Sequence, residues 1–99
     1  LTRKINMPRK IIVVGDTTTH GGRVITGSET HTIDGRQIAR LDDLVDCPEK
    51  YPDGRPHGVN RIIEAHPTFT IGNRRVAMHG HRTECGCTLI GSVMADAGG

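Results

Sequence analysis

The sequence predicts an all-β fold, a small domain of short strands and hairpins, and three observations predict it. Short β-type runs recur along the chain, each closed by Gly, Asp, Asn or Pro. Helical periodicity is almost absent: the best stretch, Gln37 to Val45, carries turn-type residues at both ends and is too short to stand alone. Segments of the chain also resemble one another three times over, which points to a quasi-threefold plan.

In order, the predicted strands are Lys10 to Val14, Arg23 to Ile25, Thr30 to Ile33, Asn60 to Glu64, Thr68 to Ile71, Arg74 to Ala77 and Thr88 to Ile90. The 13 glycines supply the tight turns between them. Asp34-Gly35, between Ile33 and Arg36, predicts a hairpin with a type I′ turn, in which both central residues need positive φ. Gly72-Asn73, between Ile71 and Arg74, stands in the matching place.

That match is part of a repeat. Thr32 to Arg40 aligns residue for residue with Thr70 to Met78, and carrying the alignment on sets Asp43 on His81 and Cys47 on Cys85. Shifted the other way, Asp16 falls on Asp43 and His20 on Cys47. Three turns therefore share a layout: Asp16 with His20, Asp43 with Cys47, His81 with Cys85. A second repeat crosses the first, because His20-Gly21, His57-Gly58 and Cys85-Gly86 each open a strand.

Only 34% of the 99 residues are hydrophobic, with one Phe, one Tyr and no Trp. A domain this small with so little apolar mass needs a staple: a disulfide, a metal or a partner. Three cysteines are an odd number; with no secretory leader expected, the expected compartment is the reducing cytosol, where ligation is favoured over disulfides. A net charge of +2 with acids and bases interspersed argues against nucleic acid or an anionic membrane as the main partner. No run approaches the ~18 apolar residues of a membrane span. Residues 1–6 read as an expression-vector remnant, and residues 7–99 as one domain.

The repeats place His20, Cys47, His57 and Cys85 at comparable turn or strand-entry positions, and together they make an N₂S₂ set that zinc accepts tetrahedrally. Four ligands from four distant segments suit a closed structural site that ties the chain together, with no open position for a catalytic water. Cys87 follows Cys85 by two residues and is expected to pack beneath the metal; His81 is expected to shape its turn, as Asp16 and Asp43 do. Either is a reserve ligand. His31, His66 and His79 read as exposed surface. The chain has no Gly-x-Ser-x-Gly, His-Glu-x-x-His or P-loop.

Val14-Gly15-Asp16-Thr17-Thr18-Thr19-His20-Gly21-Gly22, Ile38-Ala39-Arg40 leading to Asp43 and Cys47-Pro48, and Val76-Ala77 leading to Cys85-Gly86 together resemble the PAAR-repeat family. That family caps the spike of the bacterial type VI secretion system. The resemblance runs from Lys10 to Ser92. The motif that names the family is reduced here to Gln37-Ile38-Ala39-Arg40 and Arg75-Val76-Ala77-Met78; Asp42 stands where a Gly is usual, and His81 replaces a third Asp.

The resemblance implies a cone of short strands with a structural zinc near its apex. Its base would bind the blunt end of a trimeric β-helical spike of the valine-glycine repeat type, one cap per trimer. A quasi-threefold base lets one chain present equivalent edges to three subunits. The implied role is structural and not enzymatic: to sharpen the spike, aid envelope puncture and help deliver effectors, which would be recruited noncovalently because no fused toxin domain is expected. Such a protein starts in the bacterial cytoplasm and leaves on the spike for the extracellular space or a target cell, meeting membranes only in passing. Two rival readings remain open: a zinc-stapled β adaptor for another partner, and a small zinc hydrolase. A redox thiol role lacks Cys-x-x-Cys.

Overall fold

The computed structural model describes residues 9–95; the expected vector remnant lies outside them. Among the described residues there are eleven short strands and no helix. They are β1 (Arg9–Ile11), β2 (Thr17–Thr18), β3 (Arg23–Val24), β4 (Thr32–Ile33), β5 (Arg36–Gln37), β6 (Leu44–Lys50), β7 (Pro56–Arg61), β8 (Thr70–Ile71), β9 (Arg74–Arg75), β10 (Leu89–Ile90) and β11 (Val93–Ala95).

The quasi-threefold plan is written in the backbone hydrogen bonds. At the centre Ile12 N–H donates to Ala77 O at 3.0 Å, Ala39 N–H to Ile12 O at 2.8 Å, and Ala77 N–H to Ala39 O at 3.0 Å, a closed ring of three chain passes. All three residues are fully buried, and the small side chains of Ala39 and Ala77 let the passes approach so closely. A second cycle links the passes in the opposite sense, from donors two residues on to acceptors two residues back: Val14 N–H to Gln37 O, Leu41 N–H to Arg75 O and His79 N–H to Lys10 O, at 2.7–2.8 Å.

Each pass then turns in the same way. Asp16, Asp43 and His81 donate their own N–H to the carbonyl three residues back, on Val13, Arg40 and Met78. Their side chains take the returning N–H of those same residues, on Asp16 Oδ2 at 2.9 Å, Asp43 Oδ2 at 2.8 Å and His81 Nδ1 at 2.9 Å. His81 therefore replaces a carboxylate oxygen with an unprotonated ring nitrogen. The residue before each has positive φ: Gly15 at 96°, Asp42 at 72° and Gly80 at 93°. Asp42 thus holds a left-handed backbone where its two counterparts are glycine, the conformation that L-residues with a Cβ resist.

Beyond the turns the strands close on themselves. The sheet order is β10-β2-β3-β6-β7. The bridges Ile62 to Thr83 and Arg82 to Thr88 join its two edges through the 82–88 turn. Inside lie Val24, Val45, Ile62 and Leu89 with Ile12, Ala39 and Ala77. Toward the other ends of the passes, Ile11, Val13, Ile38, Val76 and Met78 form a second cluster with Ile71 and Val93.

Three two-stranded ribbons pack on this second cluster: β4-β5, β8-β9 and β1-β11. The first two are the predicted hairpins. Asp34 and Gly35 have φ of 53° and 78°, and Gly72 and Asn73 have 62° and 65°, as type I′ turns require. In the third ribbon β1 pairs with β11, Arg9 opposite Ala95 and Ile11 opposite Val93, so segments from opposite ends of the chain replace a hairpin.

Gln37–Val45, too short to stand as a helix, is not helical: it holds the end of β5, one pass of the central ring and the start of β6. One expectation needs correction. Cys47-Pro48 does not lie in a turn but within β6, the longest strand, paired with β7. Pro48 has no N–H to give, and the β6–β7 register shifts between Cys47 and Lys50.

Candidate metal centre

His20, Cys47 and Cys85 end the three equivalent passes, each four residues past its turn residue, and the repeat therefore brings them to one place. Local structure then aims them. Thr18 Oγ1 accepts the N–H groups of His20 at 3.2 Å and Gly22 at 3.0 Å, folding the chain back over Gly21. A Cβ at Gly22 would collide with the carbonyl oxygen of Asp46. The turn is thus pressed onto β6, and His20 Nδ1 comes to 3.5 Å from Cys47 Sγ.

The third pass has the same turn with different donors. Gly86 N–H reaches Thr83 O at 2.9 Å and Thr83 N–H reaches Cys87 O at 3.0 Å, with Gly86 at φ 94°. This tight loop sets Cys85 Sγ and Cys87 Sγ 3.7 Å apart. Buried Thr83 contacts both sulfurs through Oγ1, at 3.3 Å and 3.0 Å, and Asn60 Oδ1 accepts the Cys85 N–H at 3.2 Å.

His20, Cys47, Cys85 and Cys87 form a group whose donor atoms all lie within 4.8 Å of one another. His57 stands beside it in β7. Its Nδ1 is 3.4 Å from Cys47 Sγ, its ring centroid 5.4 Å from that of His20 and 4.3 Å from that of Tyr51. All three cysteines are free thiols. The sulfurs differ in acidity. Burial and the neighbouring Cys85 and Cys87 push the Cys47 thiol up to about 11, against a lowering contact with the Glu49 backbone. Burial opposes ionisation of Cys85 too, but the bonds from Thr83, from the backbone and thiol of Cys87 and from Cys47 outweigh it and bring it down to about 6. Of these two thiols, Cys85 is therefore the more readily ionised.

This is chemistry for a cation. Mixed imidazole and thiolate donors, convergent and half-buried to buried, suit a late first-row ion and disfavour the hard, oxygen-seeking magnesium and calcium. A family model described as the PAAR motif matches residues 14–91. The chain belongs to the PAAR family. PAAR domains are conical, all-β and structural in role, and they bind metal; a cysteine–histidine group able to hold an ion is what this one presents. No curated protein sequence matches the chain.

In this PAAR domain the predicted residues divide. His20, Cys47 and Cys85 come together, Cys87 joins them in place of packing beneath, and His57 stands beside the group against Cys47 and the His20 ring. His81 stays at its turn. His66 is not surface: half-buried, its Nδ1 accepts the N–H groups of Thr68 at 3.2 Å and Phe69 at 3.0 Å. Ser28 Oγ does the same for Thr30 and His31 in the equivalent loop. His31 and His79 are exposed as expected, although His79 Nδ1 accepts the Gly91 N–H at 3.0 Å.

Three residues around the centre escaped notice: Thr18, Thr83 and Asn60. The signal for two of them was present, since Thr18 and Thr83 each lie two residues past the turn residue of their own repeat. Asn60 carried no such mark.

Proposed function

We propose that this PAAR domain is the tip of a type VI secretion spike, a single chain that caps a trimeric β-helical spike of the valine-glycine repeat type, one cap per trimer. The observation that carries the reading is the closed ring of hydrogen bonds among Ile12, Ala39 and Ala77. It supports a monomer that imitates a trimer about one axis, which is what capping a threefold end demands. The three ribbons supply the matching contact. Each is only two strands wide, and its outer edges are suited to pairing with strands of three identical subunits.

The role is mechanical, with no turnover. Zinc, held among His20, Cys47, Cys85 and their neighbours, would tie the three passes together where they converge. Binding of this kind is itself folding free energy and needs neutral imidazoles and thiolates. The cap would start in the bacterial cytoplasm and leave with the spike to pierce an envelope and help deliver effectors recruited to it. Sedimentation of the chain with its cognate spike trimer tests the reading. The expected result is a complex of one cap per trimer; persistent separate species at micromolar concentrations would sink it.

A further inference from the structure

Five donors meet where a tetrahedral ion takes four. We infer that the metal is held by His20, Cys47, Cys85 and Cys87, three thiolates and one imidazole. His57 acts from outside as a positioning residue that donates an N–H to the Cys47 sulfur. The inference rests on the metal staple proposed above and names its ligands.

Distances carry the choice. A tetrahedral ion with metal–sulfur bonds of about 2.3 Å and metal–nitrogen bonds of about 2.0 Å sets sulfurs about 3.8 Å apart and a sulfur about 3.5 Å from a nitrogen. Cys85 and Cys87 Sγ already lie 3.7 Å apart, and His20 Nδ1 lies 3.5 Å from Cys47 Sγ. Two opposite edges of the tetrahedron are thus formed by the protein alone. The four donors are mutually within 4.8 Å, and this group does not include His57.

Cys87 is also placed as a ligand and not as packing. It is fully buried, yet neither apolar cluster includes it, and its sulfur faces Thr83 Oγ1 and the Cys85 sulfur. The positive φ of Gly86 makes the chelating bend between the two cysteines.

His57 has a different setting. Its ring packs at a tilt of 46° against Tyr51, centroids 4.3 Å apart, and the Arg55 guanidinium lies over that tyrosine at 5.2 Å. Its Nδ1 reaches Cys47 Sγ at 3.4 Å and its ring lies 5.4 Å from that of His20, but it falls outside the four donors that lie mutually within 4.8 Å. Three thiolates on a divalent ion leave a net charge of −1. An N–H donated to a ligating sulfur offsets part of that charge, as hydrogen bonds to ligands do at metal sites.

X-ray absorption of the zinc-loaded protein decides the matter without any variant. Three sulfurs and one nitrogen around zinc are expected; two sulfurs and two nitrogens would overturn this ligand set and leave the staple standing. Failure of Zn2+ and Co2+ to bind stoichiometrically would overturn the staple as well. In the Co2+-loaded protein, Cys87→Ser should lower the thiolate-to-metal charge-transfer intensity by about a third. His57→Phe should keep that intensity while weakening affinity about 10–100-fold, with His57→Gln, which retains an N–H donor, recovering part of the loss. Loss of intensity in His57→Phe with none in Cys87→Ser would refute the assignment.

Discussion

Replacing Asp43 by alanine tests the turn that the three passes share, and its cost can be worked from the structure. Asp43 is 4% exposed. Its carboxylate accepts the Arg40 N–H at 2.8 Å, Arg40 Nε at 3.2 Å and the Thr26 hydroxyl at 2.9 Å, and Arg74 stands at 3.4 Å. The Arg40 side chain is itself only 13% exposed. Truncation therefore strands a turn N–H and a largely buried guanidinium together. Removing one partner of a buried pair costs about 3–5 kcal/mol; Arg74, at 37% side-chain exposure, is solvated well enough to add little. In a domain of this size each kcal/mol lowers the melting temperature by about 4–8 °C, so Asp43→Ala should lose at least about 12 °C. Asp43→Asn keeps one oxygen for the Arg40 N–H and should lose less. Thermal denaturation followed by circular dichroism, with both proteins metal-loaded, measures this. A loss for Asp43→Ala of under about 1 kcal/mol, the range of an exposed ion pair, would refute the view that the carboxylate holds the turn.

Asp42→Gly should raise stability by a few tenths to about 1 kcal/mol, because it relieves a left-handed φ of 72°. The Arg61 contact it gives up, 3.5 Å between side chains more than half exposed, contributes little; a lower denaturation midpoint for Asp42→Gly would count against this. In the metal-free protein, alkylation should follow acidity. Cys85 should react with a midpoint near its pKa of about 6, while Cys47, raised to about 11, should stay protected through neutral pH; mass spectrometry of digests separates the two sites. The linkage signs are opposite. Cys85 falls below its ordinary value of 9.0, so its stabilisation is present above that value and lost as pH drops through about 6. Cys47 rises above 9.0, so its share is present below that value and lost as pH climbs through about 11.

The sequence by itself determined the strand-rich class, both type I′ hairpins and the equivalence of Asp16, Asp43 and His81. All three depend on short-range chemistry. Asp34-Gly35 and Gly72-Asn73 tolerate positive φ within two residues, and the turn side chains cap N–H groups three residues away. The repeat carried His20, Cys47 and Cys85 to a common position for the same reason, because equal spacing from equal turns gives equal placement.

Tertiary structure decided the rest. Cys47-Pro48 reads as a turn by local propensity, yet pairing with β7 draws it into the longest strand. Gln37–Val45 has some helical pattern, but its Ala39 amide is claimed by Ile12 on another pass. The third ribbon joins β1 to β11, a pairing between ends of the chain that no local window contains. The choice between Cys87 and His57 was likewise invisible in spacing. The choice proposed above rests on the sharp bend at Gly86, which sets two sulfurs 3.7 Å apart, and on the packing of His57 against Tyr51. Contacts between segments far apart in the chain are settled by which backbone and side-chain groups find partners when the three passes close, and that closure is a property of the whole domain.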